Sequence, residues 1–166
     1  MTGAAPLSEA ARLVAALRDR GWTLGVAESL TGGAVASEIV SVPGASAVLR
    51  GAVVAYATPL KHTLLGVDAT LLAAHGPVHP EVAVQMAEGV RHAVAVDGQA
   101  ADAGIATTGI AGPDSPDGQP VGTVHIGVAV PGRTRSASHV FTGSRADIRA
   151  QATAAAFALA LATLRE

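Results

Sequence analysis

The chain of 166 residues has no cysteine, one tryptophan, one tyrosine, two phenylalanines and few charges, and each shortage removes a class of function. Without cysteine there is no disulfide framework, no thiolate metal site and no cysteine nucleophile. With aromatics at 2%, the core must be built from alanine, valine and leucine, which bring backbones close together. Eleven Lys and Arg residues, with no basic run and a net charge of −2, give little footprint for a phosphate backbone, so no nucleic-acid partner is expected. No uninterrupted apolar span reaches the ~20 residues of a membrane helix, and the N-terminus lacks the basic-then-apolar pattern of a secretory signal. A cytoplasmic protein without a membrane partner is therefore expected. Six histidines invite a metal hypothesis, and His75 and His79 have helical ligand spacing, but Gly76 and Pro77 lie between them and keep them off one helix face. No metal and no cofactor are expected.

What is present is a 49% apolar chain of single-domain length, residues 1–166, long enough to bury about 70% of its unfolded surface. Leu13, Val14 and Leu17 share one face of a helix over Ser8 to Arg20, stopped by Gly21. Strands are expected at Trp22 to Ala27, Leu49 to Ala57 and Ala103 to Thr107. The run Ala52-Val53-Val54-Ala55 suits a central strand covered on both faces. Thr58-Pro59 reads as N-cap and first helical residue, Asp68 starts a further short helix, and Pro80 to Val96 has clear helical periodicity. A hairpin is expected from Gly122 to Val130 and Arg133 to Thr142 around Pro131-Gly132, then a final helix from Arg145 to Arg165. The fold class is α/β: a three-layer α/β/α sandwich with a mixed, mostly parallel central sheet.

Ligands of such sheets sit beyond the carboxyl ends of the strands, and three of those exits are polar. The first is Glu28-Ser29-Leu30-Thr31-Gly32-Gly33, where the glycines fall in a first helical turn. There either Ser29 or Thr31 simply caps the helix, or the bare backbone receives an anion or oxyanion. The second holds Tyr56 and Lys61. Lys61, against the positive end of a helix, is either a general base of lowered pKa or a side chain that snorkels to water. Tyr56 is either a plain aromatic with a wet hydroxyl or a proton relay between Lys61 and Ser29. The third exit, Thr107-Thr108-Gly109-Ile110-Ala111-Gly112-Pro113, matches neither the phosphate loop nor the dinucleotide fingerprint. Asp114 and Asp117 read as turn formers. Arg145 is either a surface arginine or an anion contact.

The motifs Ala27-Glu28-Ser29-Leu30-Thr31-Gly32-Gly33, Val42-Pro43-Gly44-Ala45-Ser46, Val54-Ala55-Tyr56 with Lys61, His79-Pro80-Glu81-Val82-Ala83, and Thr108-Gly109-Ile110-Ala111-Gly112-Pro113 followed by Pro120-Val121-Gly122-Thr123-Val124 occur in one order. Together they resemble the CinA C-terminal family, whose activity is nicotinamide mononucleotide deamidation. The resemblance implies a single CinA-like amidohydrolase domain without an N-terminal partner domain. It implies hydrolysis of a carboxamide to a carboxylate and ammonia in pyridine-nucleotide recycling, with Ser29 as nucleophile and Lys61 and Tyr56 assisting. Glu28, Thr31, Gly32, Gly33, Thr108, Gly109, Ile110, Ala111, Gly112 and Arg145 are the expected substrate contacts. A homodimer or higher homo-oligomer is also implied. The alternative is a non-enzymatic nucleotide-sensing or protein-interaction domain of competence and DNA-damage responses. Leu30, Thr58 and Ser144 depart from the cysteine, asparagine and aspartate usual in the family.

Overall fold

A computed structural model describes residues 6–116 and 118–166. In chain order the elements are α1 (Glu9–Arg20), β1 (Leu24–Glu28), α2 (Ala34–Val40), a 3₁₀ turn (Ala45–Ala47), β2 (Leu49–Val54), α3 (Thr58–Thr63), α4 (Ala69–His75), α5 (Pro80–Ala93), β3 (Ala103–Gly109), β4 (Thr123–Val130), β5 (Arg133–Val140) and α6 (Arg145–Arg165). The strands form one sheet in the order β2-β1-β3-β4-β5. β1 is parallel to β2 and β3, and β4 is antiparallel to β3 and β5. Four strands thus run one way and β4 alone opposes them.

Helices α1, α2 and α6 cover one face, burying Leu13, Leu17, Ile39, Ile148 and Phe157 against Val26, Ile105 and Ile126. The other face is covered by α5 and the segment after α3, with Val82, Met86 and Val90 against Ala27, Ala106 and Ala129. The three-layer α/β/α expectation is met. Alanine and glycine in the strands are what let α5 lie close. A Cβ on Gly104 would stand 1.9 Å from the Ala87 carbonyl oxygen, and one on Gly127 would stand 2.1 Å from that of Ala83.

Local chemistry sets the helix ends. Ser8 accepts from the Ala11 N–H at the start of α1, and Gly21 closes that helix at φ 66°. Ser144 and Asp147 form a reciprocal capping box on α6, and the Ser144 backbone N–H and hydroxyl hold the Asp147 carboxyl below its ordinary range. Helix α5 stops at Ala93, short of the expected Val96.

Two expectations need correction. The strand around Ala52-Val53-Val54 is not central: β2 pairs only with β1, and Val54 remains 44% exposed at the sheet edge. A short apolar run does not report strand order, and the strand buried at all eight positions is β4. Thr58 is not the cap of α3; Ala57 is, and Thr58 begins the helix with Pro59 second. Asp117 lies outside the described residues.

Candidate active site

The chain leaves β1 for β2 on one side of the sheet and returns to β3 on the other, so the carboxyl ends of β1 and β3 border a topological switch point. Ser29 follows β1 directly, Thr108 and Gly109 end β3, and Lys61 reaches in from α3 beyond β2. Between them is a cleft of about 390 Å³, lined among others by Ser29, Tyr56, Lys61, Thr108 to Gly112 and Arg145. A larger groove of about 560 Å³ runs beside α5 past Leu64, Gln85, Glu88 and His92, and carries none of these groups.

Lys61 is 1% exposed, the largest side chain buried so completely. Its Nζ lies 3.0 Å from Ser29 Oγ, 2.7 Å from the Ala55 carbonyl oxygen and 3.5 Å from that of Tyr56. All three partners are uncharged. Burial without a counter-ion lowers the Lys61 pKa from 10.5 to about 8. A neutral amine has two N–H bonds and one lone pair, so the two carbonyls take the hydrogens and the lone pair is left for the serine hydroxyl. The expected direction of the shift is found, and of its two expected sources, the helix start and burial, burial is the one at work. Helix α3 has six residues with Lys61 fourth, too short for a macrodipole to dominate, and desolvation is the cause.

The turn that carries Ser29 is held from within. Ser29 N–H donates to Thr107 Oγ1 at 3.3 Å, and Thr107 Oγ1 lies 2.8 Å from Thr31 Oγ1. Gly32 N–H donates to the Ser29 carbonyl at 3.1 Å. Glu28, fully buried, turns its carboxylate onto the Val35 and Ala36 N–H groups, each at 3.0 Å. It therefore fills the anion position at the start of α2. This corrects four expected substrate contacts. Glu28, Thr31, Gly32 and Gly33 do not line the cleft, because the helix N-terminus they border is already capped by the chain's own carboxylate. The glycines also precede the helix instead of occupying its first turn, with Gly33 as N-cap at φ 105°.

The residues of the third exit border the cleft. Thr108, Gly109, Ile110, Ala111 and Gly112 all line the cleft. The N–H groups of Leu30, Ala111 and Gly112 make no hydrogen bond among the described residues. Arg145 spans the mouth, with Nη1 donating to the Gly112 carbonyl at 2.6 Å and Nη2 to the Tyr56 hydroxyl at 3.1 Å. Tyr56 is 60% exposed, and its hydroxyl faces Arg145. The relay through Tyr56 is thus not the arrangement found, since Lys61 meets Ser29 directly. His62 bonds the Val67 carbonyl at 2.7 Å and is absent from the cleft lining.

Sequence reasoning missed Pro77 and Val78, which form the opposite wall, and the lining role of Asp114. The wall is tied by side chains, Thr108 Oγ1 donating to the Pro77 carbonyl at 2.7 Å and Gln119 Nε2 to that of Val78 at 3.0 Å. The Gly76-Pro77 break was the available signal: it ends α4 and returns the chain to the sheet edge. His75 and His79 do meet across that break, ring centroids 4.7 Å apart, but no group of three or more potential ligands gathers among the described residues.

Residues 7–164 match the family described as CinA C-terminal domain. The chain belongs to the CinA family. A CinA-like protein of Frankia casuarinae is 48% identical over 86% of this chain and 32% of its own length. One of Gloeobacter violaceus is 53% identical over 70% of this chain and 26% of its own. A putative competence-damage inducible protein of Bacillus pumilus is 44% identical over 82% and 32%. The chain therefore spans about a third of the length of the curated relatives it matches. Among solved structures, a CinA superfamily protein of Klebsiella pneumoniae superposes with a TM-score of 0.87 at 32% identity, covering 95% of this chain and 96% of that one. A competence/damage inducible protein, CihA, of Agrobacterium tumefaciens gives 0.85 at 27% identity over 99% and 100%. No helix among the described residues is long and apolar enough to cross a membrane.

Proposed function

We propose that this CinA domain is an amidohydrolase that converts the carboxamide of nicotinamide mononucleotide to the carboxylate, releasing ammonia. The observation that carries this reading is the 3.0 Å contact between Ser29 Oγ and the buried Lys61 Nζ, whose pKa burial has lowered to about 8. That pairing is the serine–lysine form of an activated nucleophile. Neutral Lys61 takes the Ser29 proton as Oγ bonds to the carboxamide carbon. The oxyanion that forms is received by unpaired N–H groups, of which Leu30, Ala111 and Gly112 are available at the cleft. The lysine then returns its proton to the leaving nitrogen, the C–N bond breaks, and ammonia departs from an acyl-serine. Water, deprotonated by the same lysine, attacks the ester; the proton goes back to Ser29 and the carboxylate leaves. Arg145 supplies the positive charge for the phosphate at the mouth, and Tyr56 braces that arginine.

The test is ammonia release from nicotinamide mononucleotide by the purified chain and by Ser29→Ala. We expect turnover in the first and a loss of about 10³-fold or more in a folded second, because both steps run through that oxygen. Binding of the nucleotide without any ammonia would sink the reading and leave a nucleotide-sensing domain.

A further inference from the structure

Arg149 lies one helical turn beyond Arg145 on α6, and four-residue spacing puts both arginines on one side of that helix. Its Nε donates to the Leu30 carbonyl at 2.8 Å and its Nη2 to the Thr31 carbonyl at 3.1 Å. These are the two residues that follow Ser29. Leu30 is 4% exposed and Thr31 fully buried, so their carbonyls need donors from the protein; that of Thr31 also accepts from the Ala34 N–H at 3.1 Å, and that of Leu30 has Arg149 alone among the described residues. Arg145 takes the Gly112 carbonyl on the far side of the cleft. Helix α6 is thereby fastened to both strand-end turns that border the site.

We propose that Arg149 is a positioning residue that keeps Ser29 in register with Lys61, a role that rests on the serine nucleophile argued above. The guanidinium fork holds two consecutive peptide planes at once, and the Gly32 N–H holds the Ser29 carbonyl just before them. Rotation of the turn is blocked on both sides of Leu30. With the fork gone, the Leu30 carbonyl loses its donor, the turn is held by the Thr107 hydroxyl and by the Gly32 and Ala34 N–H bonds, and the Oγ to Nζ separation widens. A misplacement of about 1 Å at a reacting centre costs on the order of 10²-fold in rate. Lysine offers a point charge in place of a planar fork and can satisfy the pair only in part.

The experiment compares wild type, Arg149→Met and Arg149→Lys for kcat and KM with nicotinamide mononucleotide, for the rate of Ser29 labelling by a fluorophosphonate, and for thermal midpoint. We expect Arg149→Met to lose about 10²-fold in kcat and in labelling rate while KM stays within twofold, since Arg149 does not line the cleft. Arg149→Lys should fall between, and added guanidinium ion should restore part of the Arg149→Met rate. A folded Arg149→Met with kcat within twofold of wild type overturns the proposal. So does a raised KM at unchanged kcat, which would make Arg149 a substrate contact. If Arg149→Met does not fold, Arg149→Lys with a wild-type kcat overturns it equally. A wild-type protein that neither releases ammonia nor labels at Ser29 fails earlier, at the nucleophile itself.

Discussion

The chain leaves its sheet through two glycine-bearing turns, after β1 and after β3, and they spend their backbones in opposite ways. In the first, Glu28 takes the Val35 and Ala36 amides, Thr107 takes the Ser29 amide, and the glycines serve only the path of the chain. Its helix N-terminus is closed by the chain itself, and it presents to the cleft the serine oxygen and the amide of Leu30, which has no partner among the described residues. In the second, the Ala111 and Gly112 amides have no partner among the described residues, and the backbone itself lines the cleft. What separates them is a carboxylate in the preceding strand. The helix start behind a glycine-rich exit is open to a ligand when the chain supplies no anion of its own there, so the pattern of glycines alone decides nothing.

The comparison can be broken most severely at the serine oxygen the first turn presents. Lys61→Arg and Lys61→Met should each cost about 10²- to 10⁴-fold in ammonia release, because neither can accept the serine proton. The wild-type rate should rise with pH around about 8 as the lysine becomes neutral. Stability should follow the same group. Its folded pKa lies below the unfolded value of 10.5, so burying the ammonium costs about 3 kcal/mol below pH 8, and the cost fades between about 8 and 10.5. Denaturant titrations should show wild type gaining stability across that window and Lys61→Met more stable than wild type at pH 7. A wild-type curve flat from pH 8 to 10.5 would contradict the buried, shifted lysine.

Removing the carboxylate that closes the first turn is the next largest change. Glu28→Ala deletes two charge-assisted bonds and should destabilise by about 3 kcal/mol, with Glu28→Gln recovering roughly half through its amide oxygen. Thermal melts check both. KM of the folded fraction should be unchanged, and a raised KM would return Glu28 to the substrate contacts. The smallest effect sharpens the open side: Tyr56→Phe loses the acceptor that braces Arg145 and should raise KM by about 2- to 10-fold with kcat retained. A hundredfold fall in kcat would restore the relay.

Much of this site was legible because its parts fall at strand ends, where parallel strands bring separate motifs to one edge. Ser29, Tyr56, Lys61 and the backbone from Thr108 to Gly112 could be gathered from that rule alone, whereas Arg145, at the start of the last helix, stayed open between a surface arginine and an anion contact. Strand order was not legible: Ala52-Val53-Val54 reads the same at an edge as in the centre, and only pairing decides. Nor was the destination of polar side chains. Glu28 and Arg149 look like ordinary charged residues in sequence, and their partners seven and 118 or more positions away are fixed by how α2 and α6 dock on the sheet. The wall at Pro77 and Val78 depends on a hydroxyl in β3, a pairing no local pattern announces.

The close seating of α5 also acts as a gauge. That helix begins at Pro80, immediately after the Pro77–Val78 wall, and rests its Ala83 and Ala87 carbonyls over Gly127 and Gly104. A methyl group at either glycine would have to push the helix outward by roughly 1.5 Å to reach ordinary contact distance, and the wall would travel with it. The width of the cleft is therefore calibrated from the far layer of the sandwich, by two positions that have no side chain. Sequence drift at those positions would retune the size of what the cleft admits while leaving the serine and the lysine untouched.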